Sequence, residues 1–187
     1  MICTPRMTIR PLNYYELLSR VYSNVGHVKD EEGRQNVLRY SVEPMKKAPE
    51  ELHKFYTFWV GEDRGEEVLE CGYICPPTEH KVMEVFCYVR TEYQGKGYGT
   101  EAIKGLTRFA EAFDVRFVCA SVDKDNKASQ KMMTKAGYYY LTDTPQGMMV
   151  FNKKFDNYGW SNFTSRHTRR TWNSWDYIWD SCWDEMG

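Results

Sequence analysis

Residues 81–122 read KVMEVFCYVRTEYQGKGYGTEAIKGLTRFAEAFDVRFVCASV. Lys81 to Val89 is an apolar, partly β-branched run in which Glu84 is the sole charge between Val82 and Val89. It is followed by TEYQGKGYGT, with three glycines in five residues at Gly95, Gly97 and Gly99. Ala102, Ile103, Leu106, Phe109, Ala110 and Phe113 then keep helical spacing, and Val115 to Val122 is a second buried strand. Strand, glycine loop, helix and strand make a βαβ unit, whose two strands must pair in parallel.

Outward from this unit the chain alternates in the same manner. Thr8 to Leu12 reads as a strand, and Tyr14, Leu17, Leu18 and Val21 as a helix. Residues 28–54 are charged and broken by Gly33, Pro44 and Pro49, which predicts one or two short helices. Phe55 to Val60 and Val68 to Cys75 read as a hairpin around the polar turn 61–67, ended by Pro76 and Pro77. Asp125 or Asn126 can cap a helix with a Met132, Met133 and Ala136 stripe, which Gly137 stops. Strands near 138–141 and 148–155 complete the order. The expected fold is a mixed α/β single sheet, mostly antiparallel, with a central βαβ unit and helices on both faces.

At 187 residues, 42% hydrophobic and 27% charged, the chain has ordinary globular composition, and disordered and collagenous classes are excluded. The net charge is -1, so no overall basic field recommends a nucleic-acid binder. Pro5, Arg6 and Arg10 stand where a signal peptide would carry its apolar run, and no stretch approaches a membrane span. A soluble, cytoplasmic protein is expected. Cys3, Cys71, Cys75, Cys87, Cys119 and Cys182 show neither a C-x-x-C pair nor a disulfide framework, and His27, His53, His80 and His167 are isolated. Reduced thiols and no metal site are expected.

A domain boundary is expected near 155. Five of six tryptophans lie in residues 156–187, with three arginines against five acidic residues. Trp172, Trp175, Ile178, Trp179, Cys182 and Trp183 form one face of an amphipathic helix, with Asp176, Asp180 and Asp184 on the other. Such a face calls for cover by the domain's own sheet or by a second copy in a homodimer, unless it is a partner- or acceptor-binding arm. The acidic residues argue against membrane adsorption and against a dedicated nucleic-acid site.

Three phosphate-loop patterns can be compared with the glycine segment. A Walker loop fails because Arg90 stands at its first glycine and Gly97 follows Lys96; a dinucleotide fingerprint fails at Thr100. What remains is Q-x-x-G-x-G, Gln94 to Gly99, between a strand and a helix. Closely spaced glycines let backbone N–H groups approach an anion at the positive end of a helix, and Lys96 adds a movable charge. The competing reading is a tight turn with no ligand.

Gln94-x-x-Gly97-x-Gly99 resembles the pyrophosphate loop of the GNAT superfamily of acyl-CoA-dependent N-acyltransferases. Asn126-x-x-Ser129, with Gly137-Tyr138 after it, resembles that family's second signature, and Thr8 to Leu12 its first strand. The resemblance implies acetyl-CoA as co-substrate and an amine acceptor. It implies cofactor contacts at Cys87, Tyr88, Val89, Gln94, Gly95, Lys96, Gly97, Tyr98, Gly99, Thr100, Asn126 and Ser129. Many members carry a tyrosine seven residues after the asparagine as general acid; here that position is Met133. The form with Ser129 and no tyrosine is more similar to the branch with ribosomal-protein N-terminal acetyltransferases and several antibiotic-modifying enzymes. The Trp-rich segment matches nothing in the common pattern.

The implied reaction is attack of a neutral amine on a thioester. Freeing a lysine-like amine of its proton at pH 7 costs about 4.6 kcal/mol, an α-amine about 1. Only the first strongly needs a base. Glu84 is the candidate because an apolar strand would raise its affinity for a proton, with Glu70 and Glu79 as alternates; a glutamate pointing to water is the competing reading. Backbone N–H groups of Cys87 to Val89 could bind the thioester oxygen, and Ser129 or a water could return a proton to the leaving thiolate. Asn126 can cap its helix and also reach the cofactor arm. An acyl-cysteine on Cys87 lacks a nearby histidine to activate it. The alternative function is a GNAT-fold module that binds CoA or a partner with little catalysis.

Overall fold

The computed structural model describes residues 1–23, 28 and 30–155. Among them, eight strands form one sheet in the order β1-β2-β3-β4-β5-β6-β8-β7. These are β1 (Ile2–Cys3), β2 (Thr8–Pro11), β3 (Phe58–Asp63), β4 (Glu66–Tyr73), β5 (Val82–Val89), β6 (Phe117–Val122), β7 (Tyr139–Asp143) and β8 (Met149–Lys154). The helices are α1 (Tyr14–Ser23), α2 (Glu31–Val37), α3 (Glu43–Lys47), α4 (His53–Tyr56), α5 (Tyr98–Ala110) and α6 (Lys127–Lys135). A π-turn, Leu38–Val42, joins α2 to α3. Every neighbouring pair of strands is antiparallel except β5 and β6, which the α5 crossover makes parallel.

Two apolar layers sandwich the sheet. The larger is built on α5, whose Ala102, Ile103, Leu106 and Ala110 meet Leu69, Cys71, Met83 and Val85. Met133 and Ala136 of α6 and Tyr138 join the same layer. On the opposite face Leu17 and Val21 of α1, with Val37, Val42 and Met45, cover Phe58 and Val60 of β3. Alternation along β4 and β5 divides the strands between these layers: Met83, Val85, Cys87 and Val89 face α5, while Phe86 reaches the α1–α3 layer.

The structure differs from the sequence reading at three places. Phe55 and Tyr56 belong to α4, not to the strand, which begins at Phe58. Phe55 is pulled into the core by edge contacts with Tyr73 and Phe113, and the Trp59 indole N–H donates to the Lys54 carbonyl at 2.7 Å, closing the bend between helix and strand. A two-residue strand, β1, pairs Ile2 with Ile9; it is too short to show periodicity. The helix expected to start near Gly99 opens at Tyr98, because glycine at 97 with φ 87° turns the chain directly into it.

The α6 helix ends as its glycine predicts. Gly137 has φ 90°, its N–H bonds the Thr134 carbonyl and the Tyr138 N–H bonds that of Met133, a Schellman stop that aims Tyr138 at the α5 layer. There its hydroxyl meets Thr107 Oγ1 at 2.7 Å. The Trp-rich segment expected after residue 155 lies outside the described residues. No helix among the described residues is long and apolar enough to cross a membrane.

Candidate active site

The βαβ unit positions the site because its two strands separate. The parallel ladder runs through Val82–Phe117, Met83–Val118 and Glu84–Cys119 and stops there, although β5 continues to Val89 and β6 to Val122. Continuing that register would bring the Ser121 N–H to the Val85 carbonyl. Instead the Ser121 N–H donates to Glu84 Oε1 at 3.1 Å. Beyond this point β5 pairs only with β4, through Gly72–Phe86 and Glu70–Tyr88. The parity of the ladder turns the backbone groups of Val85, Cys87 and Val89 into the fork and those of Phe86 and Tyr88 toward β4.

Glu84 stands at the fork's apex, on the face covered by α1–α3. Burial raises its affinity for a proton, opposed by hydrogen bonds from the Ser121 hydroxyl and amide, and the carboxyl sits above its ordinary range. It has no ion-pair partner among the described residues. The two alternates differ. Glu70 on β4 is buried with its carboxylate held by Arg20 of α1. Arg20 also donates to Glu67 at 2.7 and 2.8 Å, and Arg90 donates to Glu67 at 2.8 Å. Glu79 lies on the turn before β5, 71% exposed and, among the described residues, paired only with His80.

At the open end of the fork, β5 leads into a one-turn 3₁₀ segment, Thr91–Tyr93, and then the glycines. Gln94 is exposed, and its Nε2 donates to the Val89 carbonyl at 3.0 Å, which ties the loop to the strand end. Gly95 and Gly97 have φ 73° and 87°, a region an L side chain seldom adopts. Gly97 is the N-cap of α5 and has no side chain to cap it, and the first intrahelical bond is Glu101 N–H to the Gly97 carbonyl at 3.1 Å. The N–H groups of Tyr98, Gly99 and Thr100 therefore lie ahead of that ladder, at the positive end of a 13-residue helix.

The loop is braced from the N-terminal segment by residues that carry no signature in the sequence. The Arg6 guanidinium donates to the Lys96 carbonyl at 2.9 Å and lies 4.2 Å over the Tyr98 ring. Its Nε and amide N–H hold the Glu101 carboxylate at 2.8 and 2.9 Å. Burial would raise the Glu101 pKa, but Thr4 and Arg6 outweigh it and hold the carboxyl below its ordinary range. A carboxylate in the first turn of α5 is thus neutralised where it could repel an anion. Tyr98, expected at the cofactor, turns inward and donates to Asp63 Oδ2 at 2.6 Å. Lys96 Nζ rests 5.4 Å from the Tyr93 ring centroid.

Across the fork, Asn126 is the N-cap of α6, accepting from the Ser129 N–H at 3.0 Å. Ser129 is half-buried on the first turn, one turn before Met132. Met133 is not on the cofactor side: it is 1% exposed within the α5 layer. Gly99 has ordinary helical backbone, and a Cβ there would lie 2.5 Å from Met132 Sδ and 3.2 Å from Val89 Cγ2, so this glycine also serves helix packing. Tyr88 pairs its backbone with Glu70, leaving Cys87 and Val89 to face the fork. Burial pushes the Cys87 thiol up to about 12, which keeps it protonated and speaks against an acyl-cysteine route. Cys3, Cys71, Cys75, Cys87 and Cys119 are free thiols. Ser121, Arg6 and Asp63 were invisible to motif reading because each acts through a distant partner, and Met132 was legible only as part of its helix's apolar stripe.

The acetyltransferase (GNAT) domain family model matches residues 6–139, and the chain belongs to that family, whose co-substrate is acetyl-CoA. No curated protein sequence matches significantly. Among solved structures, RimL, a ribosomal L7/L12 α-N-protein acetyltransferase in complex with CoA, superposes with TM-score 0.63 at 12% identity over 82% of this chain and 96% of that one. A Vibrio cholerae protein named for ribosomal-protein-serine acetyltransferase activity gives 0.61 at 17% identity, over 82% and 97%. The aminoglycoside acetyltransferase AAC(6')-Ib with CoA gives 0.56 at 15%, over 79% and 94%. At these identities the likeness is one of fold.

Proposed function

We propose that this protein transfers an acetyl group from acetyl-CoA directly to a primary amine, with Glu84 as general base. The observation that carries the reading is the fork itself, with a half-buried carboxylate at its apex and a helix N-terminus at its mouth. The pantetheine arm adds along Val85 to Val89 as a substitute strand, bonding the backbone groups of Cys87 and the Val89 N–H, since the Val89 carbonyl already accepts from Gln94. The pyrophosphate meets the N–H groups of Tyr98, Gly99 and Thr100, with Lys96 within reach and Asn126 on the far side.

The amine approaches from the α1–α3 face. Glu84 takes its proton as nitrogen attacks the thioester carbon; the Cys87 or Val89 N–H steadies the oxyanion, and the C–S bond breaks as the tetrahedral species collapses. The CoA thiol has a pKa near a cysteine's ~8.5, so its thiolate leaves without a strong acid, and Ser129 or a water returns the proton. Arg20 neutralises Glu70 and makes it a poor alternative base.

The test is labelled acetyl-CoA with amines of different kinds: a protein N-terminus, a lysine, a polyamine, an aminoglycoside and an aminoacyl-tRNA. Transfer to one of them that Glu84→Gln abolishes supports the reading. Tight acetyl-CoA binding with no transfer to any amine replaces it with a CoA-binding module. The segment 156–187 is proposed to pack on this domain or on a second copy. Deleting residues 160–187 should then lower the melting temperature or change the mass in light scattering.

A further inference from the structure

We propose that the Glu84 side chain ends the β5–β6 ladder and thereby sets the depth of the acyl-CoA slot, a role separate from proton transfer. The inference rests on the acetyl-CoA reading above and extends it. In the observed register the Phe117 N–H bonds the Lys81 carbonyl, and the ladder then passes Met83 and Glu84. The next rung is Ser121 N–H to Val85 carbonyl. Both strands extend past that point, and neither proline nor glycine interrupts them between Val82 and Val89 or between Phe117 and Val122. No backbone feature of either strand accounts for the stop. What intervenes is a competing acceptor: Glu84 Oε1, 3.1 Å from the Ser121 nitrogen.

The physics favours that exchange. A carboxylate is a stronger acceptor than a carbonyl. An N–H at this depth needs a partner, so without the carboxylate it would turn to Val85. One added rung would draw β6 against Val85 and occupy the carbonyl that begins the row Val85, Cys87 and Val89. The slot would then start about one rung nearer its mouth, and the thioester would sit short of the α1–α3 opening. Titratable groups facing Glu84 from the flanking strands are Cys119 opposite it on β6 and, two rungs along, Tyr88 with Glu70.

Glutamine keeps the accepting oxygen; leucine keeps the bulk and removes it. Isothermal titration with CoA should give Glu84→Gln an affinity within about twofold of the parent and Glu84→Leu one at least tenfold weaker, about 1.4 kcal/mol. Leucine binding as tightly as the parent overturns the inference while leaving the acetyl-CoA reading intact; a parent that binds no CoA overturns that reading instead. A measurement on the unmutated protein guards against a leucine variant that fails to fold. The Ser121 amide proton in an NMR pH titration should move with the Glu84 carboxyl. An amide that stays still through that titration overturns the proposal.

Discussion

Met132 of α6 fills the space that a side chain on Gly99 of α5 would need, with its Sδ 2.5 Å from the position of a Cβ there. The two helices that flank the fork are locked together at this contact, so the helix N-terminus that faces the phosphates and the one carrying Asn126 and Ser129 keep a fixed separation. Gly99→Val places two methyl groups into Met132 and Val89. It should destabilise the fold by about 1–3 kcal/mol, read from urea unfolding, as overpacking does elsewhere. An unchanged midpoint would show that Met132 yields without cost.

Gly97 makes a different demand. Its φ of 87° and its place as N-cap of α5 put backbone N–H groups at the surface. Gly97→Asp adds a negative charge where phosphate oxygens would lie. Saturating acetyl-CoA at about 100 Kd stabilises a binder by about 2.7 kcal/mol. The parent should show that rise in thermal melting and the aspartate variant should not. Equal rises in both proteins would remove the loop from the binding site.

The Glu84 carboxyl is raised by burial, so its base form appears only as pH climbs past the ordinary carboxylate range. Parent turnover on any amine should therefore fall on the acid side at a pH above that of a solvated glutamate. With a lysine-like amine at pH 7, Glu84→Gln should lose about 10²–10⁴ in rate. The loss should shrink toward high pH, where the amine arrives neutral, and be smaller for an α-amine. A pH–rate series on both proteins decides it, and parental rates for the variant at pH 7 would end the assignment.

Arg20 supports the same face from beneath α1. It bonds Glu67 and the buried Glu70, so Arg20→Met takes one cation from both carboxylates and should cost about 3–5 kcal/mol at neutral pH. Burial pushes the Glu67 carboxyl up, but Arg20 and Arg90 outweigh it and hold it below the usual range. A depressed folded-state pKa stabilises above the unfolded value near ~4.3 and is lost as pH falls through the folded one. The gap in melting temperature between parent and variant should be widest near pH 7 and should narrow below about pH 4. A gap independent of pH would mean that packing, not charge, is what Arg20 supplies.

Motif spacing located the βαβ unit, the glycine loop and the capped α6 helix, because each depends on residues within a few positions of one another. The conformational freedom of Gly95, Gly97 and Gly137, the cap at Asn126 and the 3.6 periodicity of α5 are local properties. They are legible wherever the chain is read. The same local reading misassigned Phe55, whose helical place is set by rings 18 and 58 residues away, Tyr73 and Phe113. It also missed that Gly99 packs against Met132, since that partner lies on another helix.

The sequence by itself determined the order of elements, the parallel crossover and the chemistry offered at the helix N-terminus. Only the tertiary structure decided that β5 and β6 part after Glu84, that Gly99 packs against Met132, and that Arg6 neutralises Glu101. Each of these depends on which distant group competes for a hydrogen bond, a cavity or a charge. The Ser121 N–H shows the reason most directly: two acceptors stood within its reach, and register together with burial gave it to a side chain 37 residues away in the chain.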